Sequence, residues 1–126
     1  MTSPDPATQF AKHKYLSIET YRKSGQPVAT PVWFAERAGT FYMYSLADAG
    51  KVKRIRNNPK VRIVPCDMRG IPRGEWVEAK ARILDGQAEA LAHRLLTDKY
   101  GWMKRIGNAF SKLMHRQRVA LAVKIT

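Results

Sequence analysis

The sequence predicts a mainly β protein with flanking helices, built as an antiparallel barrel of six strands. Three observations carry this. Tight turns at Ser24-Gly25-Gln26-Pro27 and Ala38-Gly39 separate runs rich in β-formers. Apolar and polar residues alternate cleanly over Glu75 to Leu84, with Val77, Ala79, Ala81 and Ile83 on one side and Glu78, Lys80 and Arg82 on the other. A second alternating run, Val119 to Ile125, comes last. Short hairpins with such alternation favour an antiparallel barrel over a parallel sheet. A six-stranded barrel is filled by its own side chains, so a ligand is expected outside it or at an interface.

In chain order, residues 1–8 read as a flexible N-terminus and 9–126 as one domain. Gln9 to Lys14 fits a short helical turn. Tyr15 to Arg22 is the first strand and Val28 to Ala35 the second. In the second, Val28, Thr30, Val32 and Phe34 face one way and Ala29, Pro31, Trp33 and Ala35 the other. Pro31 has no N–H for a ladder, which puts this strand at an edge or a bulge. Thr40 to Leu46 is the third strand, with Tyr42 and Tyr44 on one face. Lys60 to Asp67 is the fourth, and a loop with two glycines and a proline, Arg69 to Gly74, leads into the fifth at Glu75. A helical pair precedes the last strand. Ala88, Leu91, Ala92, Leu95 and Leu96 form one apolar stripe, and Trp102, Ile106, Phe110, Leu113 and Met114 form another after Gly101.

Between the third and fourth strands lies a basic junction, Asp48 to Val61. A short helix there points Val52 and Ile55 inward and puts Lys51 and Arg54 on a second face, flanked by Lys53 and Arg56. Asp48 is the candidate N-cap. Pro59 ends the helix and forces Asn58 out of the helical region. A helix N-terminus with a lysine in its first turn is an anion site, because amide N–H groups, the dipole and the ammonium point the same way. A solvated basic face is the alternative.

Composition narrows the chemistry. The chain has 126 residues with 23 Lys+Arg against 10 Asp+Glu, a formal charge of +13, which calls for an anionic partner. Cys66 is the single cysteine, so no internal disulfide forms and a reducing, cytoplasmic setting is expected. It reads as a small buried hydrophobe in a strand. No apolar run is long enough to span a membrane, and the N-terminus carries no signal-peptide h-region. His13, His93 and His115 lack metal-ligand spacing, so no metal is expected. There is no G-x-S-x-G elbow. Glu75 and Glu78, three apart on a strand, fall on opposite faces and make no carboxylate pair. Trp33, Trp76 and Trp102 read as core or interface residues able to stack planar rings. A phosphate site with aromatics and no acid–base triad suits an enzyme whose chemistry belongs to its cofactor.

The chain resembles the flavin/deazaflavin split-barrel oxidoreductases, the pyridoxamine 5'-phosphate oxidase-like superfamily, and within it the short F420-dependent branch. The residues that carry this are Tyr15 to Tyr21, Gly25 to Phe34 with Thr30-Pro31-Val32-Trp33-Phe34, Gly50 to Val61 with Gly50-Lys51 and Asn58-Pro59, and Tyr100-Gly101-Trp102. The resemblance implies a homodimer with F420 or FMN in grooves at its interface, and hydride transfer to or from a small organic substrate. By the same resemblance Thr30, Pro31, Val32 and Trp33 lie along the cofactor ring. Tyr44 and Ser45 meet its phosphate or ribityl chain. Gly50, Lys51, Val52 and Lys53 hold the phosphate, and Trp76 comes from the partner subunit. No side chain is assigned to catalysis, though Tyr44 holds the family position for a proton donor, with a structural tyrosine as the alternative. The pyridoxamine phosphate oxidases have an arginine at the position of Ala29, a second basic residue at that of Gly50, and a C-terminal substrate segment beyond Thr126, so that substrate is not expected.

Two other readings compete. One is a cofactor-binding or storage protein without turnover. The other is a nucleic-acid binder using the basic stretches Lys51 to Arg62 and Lys104 to Arg118. The aromatics alternate into the predicted core rather than line a basic face, which argues against nucleic acid.

Overall fold

The computed structural model describes residues 5–46, 49–104 and 118–126, with backbone alone at 101–104 and 118. Seven strands, β1 (Tyr15–Tyr21), β2 (Pro27–Trp33), β3 (Ala35–Arg37), β4 (Thr40–Leu46), β5 (Lys60–Cys66), β6 (Val77–Leu84) and β7 (Arg118–Ile125), form one antiparallel sheet. Its order is β2-β1-β5-β6-β7-β4-β3. Helix α1 (Gly50–Asn57) lies between β4 and β5, and α2 (Gly86–Lys104) between β6 and β7.

The two end strands, β2 and β3, follow one another in the chain with only Phe34 between them. The sheet must therefore curl until its ends meet at that residue. The barrel is joined there by covalent chain and left unclosed elsewhere. Seven strands replace the expected six because the run Val28 to Ala35 breaks at Phe34. The alternation reads straight through the break: Val32 is half-buried, and Phe34 is buried against Phe10 and Phe41. What breaks the ladder is Tyr100, whose hydroxyl accepts from Phe34 N at 3.1 Å and lies 2.5 Å from Phe34 O and 2.6 Å from Lys14 O. A peptide that a ladder would have paired is satisfied by a side chain instead.

The barrel interior is packed. Leu16, Ile18, Phe41, Met43, Val61, Ile63, Ala79, Ala81, Leu121 and Val123 fill it, with Phe10 and Ile55 completing the cluster. The alternating residues of each strand supply one inward row each. Outside, α2 covers Leu84, Ala120 and Ala122 with Ala88 and Ala92, and Tyr42 and Tyr44 pack into the same layer. The second member of the expected helical pair, at 105–117, lies outside the described residues. Among those described, no helix is long and apolar enough to cross a membrane.

Two boundaries move for identifiable reasons. The N-terminal helical turn is a 3-10 helix over Pro6–Phe10 rather than 9–14. Asp5 caps it through Ala7 N, and Phe10 anchors it, so Pro6 to Thr8 of the expected flexible end are part of this turn. The fifth run starts as a strand at Val77 rather than Glu75 because Gln9 takes the strand partner's place. Its side-chain amide gives a hydrogen bond to Glu75 O at 2.8 Å and accepts one from Glu75 N at 2.8 Å.

Candidate functional site

Below Phe34 the two edges of the sheet part. β2 pairs with β1 along its length and has no strand on its other side. β3 covers β4 only over Thr40 to Tyr42, which leaves the same side of Met43 to Leu46 without a ladder partner. β2 and β4 still touch across this seam. Pro31 is therefore at an open edge, as its missing N–H requires.

Register sorts the β2 residues by face. Thr30 is opposite Ile18 and Val32 opposite Leu16, both core residues, so Thr30 and Val32 point inward. Pro31, opposite Ser17, and Trp33, opposite Tyr15, point outward. The Thr30 hydroxyl is buried and has no hydrogen-bond partner among the described residues. A buried hydroxyl left unpaired costs roughly 1–3 kcal/mol in proteins, so this one marks a place where a partner is missing. Across the seam, Ser45 is buried and its hydroxyl donates to Leu46 O at 3.3 Å.

Helix α1 plugs one end of the barrel with Val52 and Ile55. Its N-cap is Ala49, with no side-chain cap; Asp48, the expected cap, lies outside the described residues. Within the first turn Val52 N donates to Ala49 O at 3.1 Å, so the donors that the helix start offers to a ligand are the amides of Gly50 and Lys51. Lys51 sits in this turn, half-buried, and among the described residues it has neither a counter-ion nor a hydrogen-bond partner. Burial lowers its pKa, and the neighbouring Arg54 charge lowers it further. Arg54 folds back over the start of its own helix, where a Cβ on Gly50 would come within 2.6 Å of its Nη1. The absence of a side chain at position 50 is what admits the guanidinium. Arg54 Nε donates to Thr20 Oγ1 at 2.6 Å, and Thr20 is opposite Val28 on β2. Thr30 is two residues further along the same strand, about 7 Å by the strand rise. Two cations, an uncapped helix start and an unpaired hydroxyl therefore gather at one end of the seam. Lys53 is exposed beside them.

The other expected site residues stand apart from this group. Val52 is fully buried and holds α1 in place from within. Tyr44 points outward under α2, and its hydroxyl is paired with Nδ1 of His93. Trp33 stacks on Tyr100 with ring centroids 5.2 Å apart at 12°. Trp76 lies just before β6, two strands beyond β1, with the Arg62 guanidinium 5.1 Å above its ring and Arg62 itself paired with Glu19 at 2.8 Å. The single chain does not bring Trp76 to the seam. Cys66 is buried, and burial together with Asp67 pushes its thiol up to about 11, which leaves it inert at neutral pH. Arg54 and Thr20 were not among the expected contacts. The helical spacing from Gly50 to Arg54 is the signal that could have found the first; nothing local marks the second.

A cavity of about 640 Å³ lies elsewhere, between the N-terminal turn, Phe34 to Glu36 and α2. Lys99 lines it, with its ammonium 3.8 Å from the Phe34 ring centroid and donating to His13 O at 2.9 Å.

The sequence profile described as pyridoxamine 5'-phosphate oxidase matches residues 5–126. No curated protein matches the chain. Among solved structures, an F420 reductase is 19% identical with a TM-score of 0.61, covering 98% of this chain and 96% of its own. A FAD-binding protein from Mesorhizobium loti is 16% identical with a TM-score of 0.68, covering 99% and 88%. The heme storage protein HutZ from Vibrio cholerae is 16% identical with a TM-score of 0.68, covering 98% and 89%. At these identities the likeness is one of fold. With the profile running almost the full length and the same barrel in each neighbour, the chain belongs to the pyridoxamine 5'-phosphate oxidase family.

Proposed function

We propose that the protein is a cytoplasmic oxidoreductase that binds F420 or FMN, works as a homodimer and acts on a small organic molecule. The observation that carries this reading is Lys51, a desolvated ammonium without a counter-ion among the described residues, in the first turn of a helix with no side-chain cap. A cation taken out of water with no anion beside it is unfavourable in the free protein and favourable once an anion arrives. The residues present fit a phosphorylated, planar ligand. Gly50, Lys51, Lys53 and Arg54 would hold its phosphate. The open edge of β2, from Thr30 to Trp33, would lie along its ring system, with the Thr30 hydroxyl gaining the partner it lacks. Ser45 and Tyr44 stand on the opposite strand of the seam, and Trp76 of a second subunit would close the groove.

When bound, F420 or FMN supplies the hydride chemistry. The chain's part is to bind, orient and exclude water. The filled barrel backs the seam with apolar side chains, so solvent reaches a ligand there from one side only. Pro31 contributes a carbonyl and no N–H, which makes that point of the edge a pure acceptor. The Tyr44 hydroxyl is held by His93, so the reading asks no proton transfer of it. The same pairing supports a second reading, a carrier that binds the same cofactor without turnover.

The test is a parallel titration of the protein and of Lys51→Ala with FMN and with F420, followed by fluorescence. Binding of one cofactor by the wild type identifies it. Lys51→Ala is expected to weaken that binding by about 1–3 kcal/mol, the worth of a charge-assisted phosphate contact. Equal affinity in the two proteins would remove the reading. Turnover of reduced cofactor with a panel of electron acceptors separates the enzyme from the carrier.

A further inference from the structure

The sheet register assembles a row of cations that the sequence does not display. Lys60 on β5 is opposite Lys80 on β6, and Lys80 is opposite Lys124 on β7. Lys124 is opposite Thr40 on β4, and Thr40 is opposite Arg37 on β3. Paired residues in antiparallel strands share a face, so Arg37, Lys124, Lys80 and Lys60 lie in one line across five strands. At the usual strand spacing the line is roughly 19 Å long. All four side chains are exposed, and among the described residues none is in an ion pair. Arg82, also exposed, is two residues along β6 on the same face. The nearest carboxylate along β6 is Glu78, which is itself opposite Arg62.

Like charges placed directly opposite in a sheet repel, and each such pair destabilises it. Two such pairs share Lys80. We propose that this row is a docking track for the phosphodiester backbone of a single-stranded nucleic acid, read by charge and not by sequence. The shape favours a linear polyanion: the row is several cations long and narrow, and a small anion would span only two of its members. A bilayer surface is disfavoured because the exposed large hydrophobics among the described residues, Met68 and Ile71, follow the far end of β5 from Lys60. No aromatic side chain is interleaved in the row, so bases have nothing to stack on and recognition stays with the phosphates. This track is separate from the α1 group, and the proposal stands or falls apart from the cofactor reading.

The experiment is fluorescence anisotropy of a labelled oligothymidylate of about 20 nucleotides, between roughly 50 and 200 mM salt. It compares the wild type with the triple variant Lys60→Gln, Lys80→Gln, Lys124→Gln. Each lost phosphate contact removes about 0.7 from the slope of log affinity against log salt, so the triple variant is expected to lose about 2 from that slope. Lys80→Glu is expected to weaken binding while raising the melting temperature, because it turns two repulsive pairs into attractive ones. No binding at the lowest salt, or an unchanged slope in the triple variant, would overturn the proposal. So would displacement of the oligonucleotide by polyglutamate of equal charge, or preference for anionic vesicles over it. A cooperative urea transition in the triple variant, with a midpoint no lower than that of the wild type, checks that the fold is intact.

Discussion

The two sides of the Phe34 junction treat buried polar groups in opposite ways. On the α2 side three polar groups of the described residues have partners. The Tyr100 hydroxyl serves Phe34 and Lys14, Tyr44 meets His93, and the Lys99 ammonium has the His13 carbonyl and a ring face. On the seam side, among the described residues, Thr30 keeps a buried hydroxyl without a partner and Lys51 a desolvated ammonium without an anion. A region whose polar groups are paired is finished as it stands. A region with unpaired ones is stable only because the rest of the barrel holds it, and it gains when a ligand arrives. The contrast is a physical ground for the proposal that the seam residues bind and the α2-side residues hold the fold.

The contrast can be broken most forcefully at Tyr100. Tyr100→Phe leaves the Phe34 amide and carbonyl without their partner and should cost about 2–3 kcal/mol in chemical denaturation. A loss below about 0.5 kcal/mol would mean that water replaces the hydroxyl and that the junction is not held as described. On the seam side the sign reverses. Thr30→Val removes an unpaired hydroxyl at nearly constant volume, so the free protein should gain about 1 kcal/mol and, if the seam binds as proposed, hold the proposed cofactor more weakly. If Thr30→Val is instead destabilising, the hydroxyl has a partner and the seam is not the unfinished region.

Lys99 gives the pH test. Burial lowers its pKa to about 8 in the folded protein, against 10.5 for an ordinary lysine, and Glu36 opposes the shift. Above pH 8 the unfolded chain holds this proton and the folded chain releases it, so stability should rise with pH from this group. Cys66 acts the other way above pH 9, because its folded thiol keeps its proton to about 11. Cys66 leaves the window from pH 8 to 9 undisturbed, and Lys51, whose pKa is also lowered, acts in the same direction as Lys99; comparison with Lys99→Met isolates the Lys99 share, and the variant should flatten the rise in urea midpoint. The smallest effect is at Ala38, which holds φ of 53° beside Gly39 at 84° in the β3–β4 turn. Ala38→Gly or Ala38→Asn should add about 0.5–1 kcal/mol, and no gain would place the strain elsewhere.

Much of this was legible in the residues. Alternation located the strands because each buries one face, and Val52 and Ile55 located α1 because they are its only apolar pair. Pro31 declared an edge by lacking a donor. What escaped was set by partners distant in sequence. The break at Phe34 depends on a hydroxyl 66 residues away, and the late start of β6 depends on Gln9, also 66 residues from Glu75. Helical spacing makes Arg54 a neighbour of Lys51 and no more, yet its tie to Thr20 spans 34 residues. Alternation cannot see such contacts, since it records which face a residue takes and not what meets it there. The lysine row was invisible for the same reason: Lys60, Lys80 and Lys124 become neighbours only once the register is known.

The open edge of β2 has a consequence for the protein in a crowded solution. An unpaired strand edge is a template on which another chain can add a strand, and repeated addition leads to insoluble assemblies. Pro31 sits in the middle of that edge. It interrupts the run of donors that an incoming strand would need, while leaving the carbonyls on either side available to a small molecule. Replacing it would not only alter the proposed binding surface; it would complete a template for aggregation.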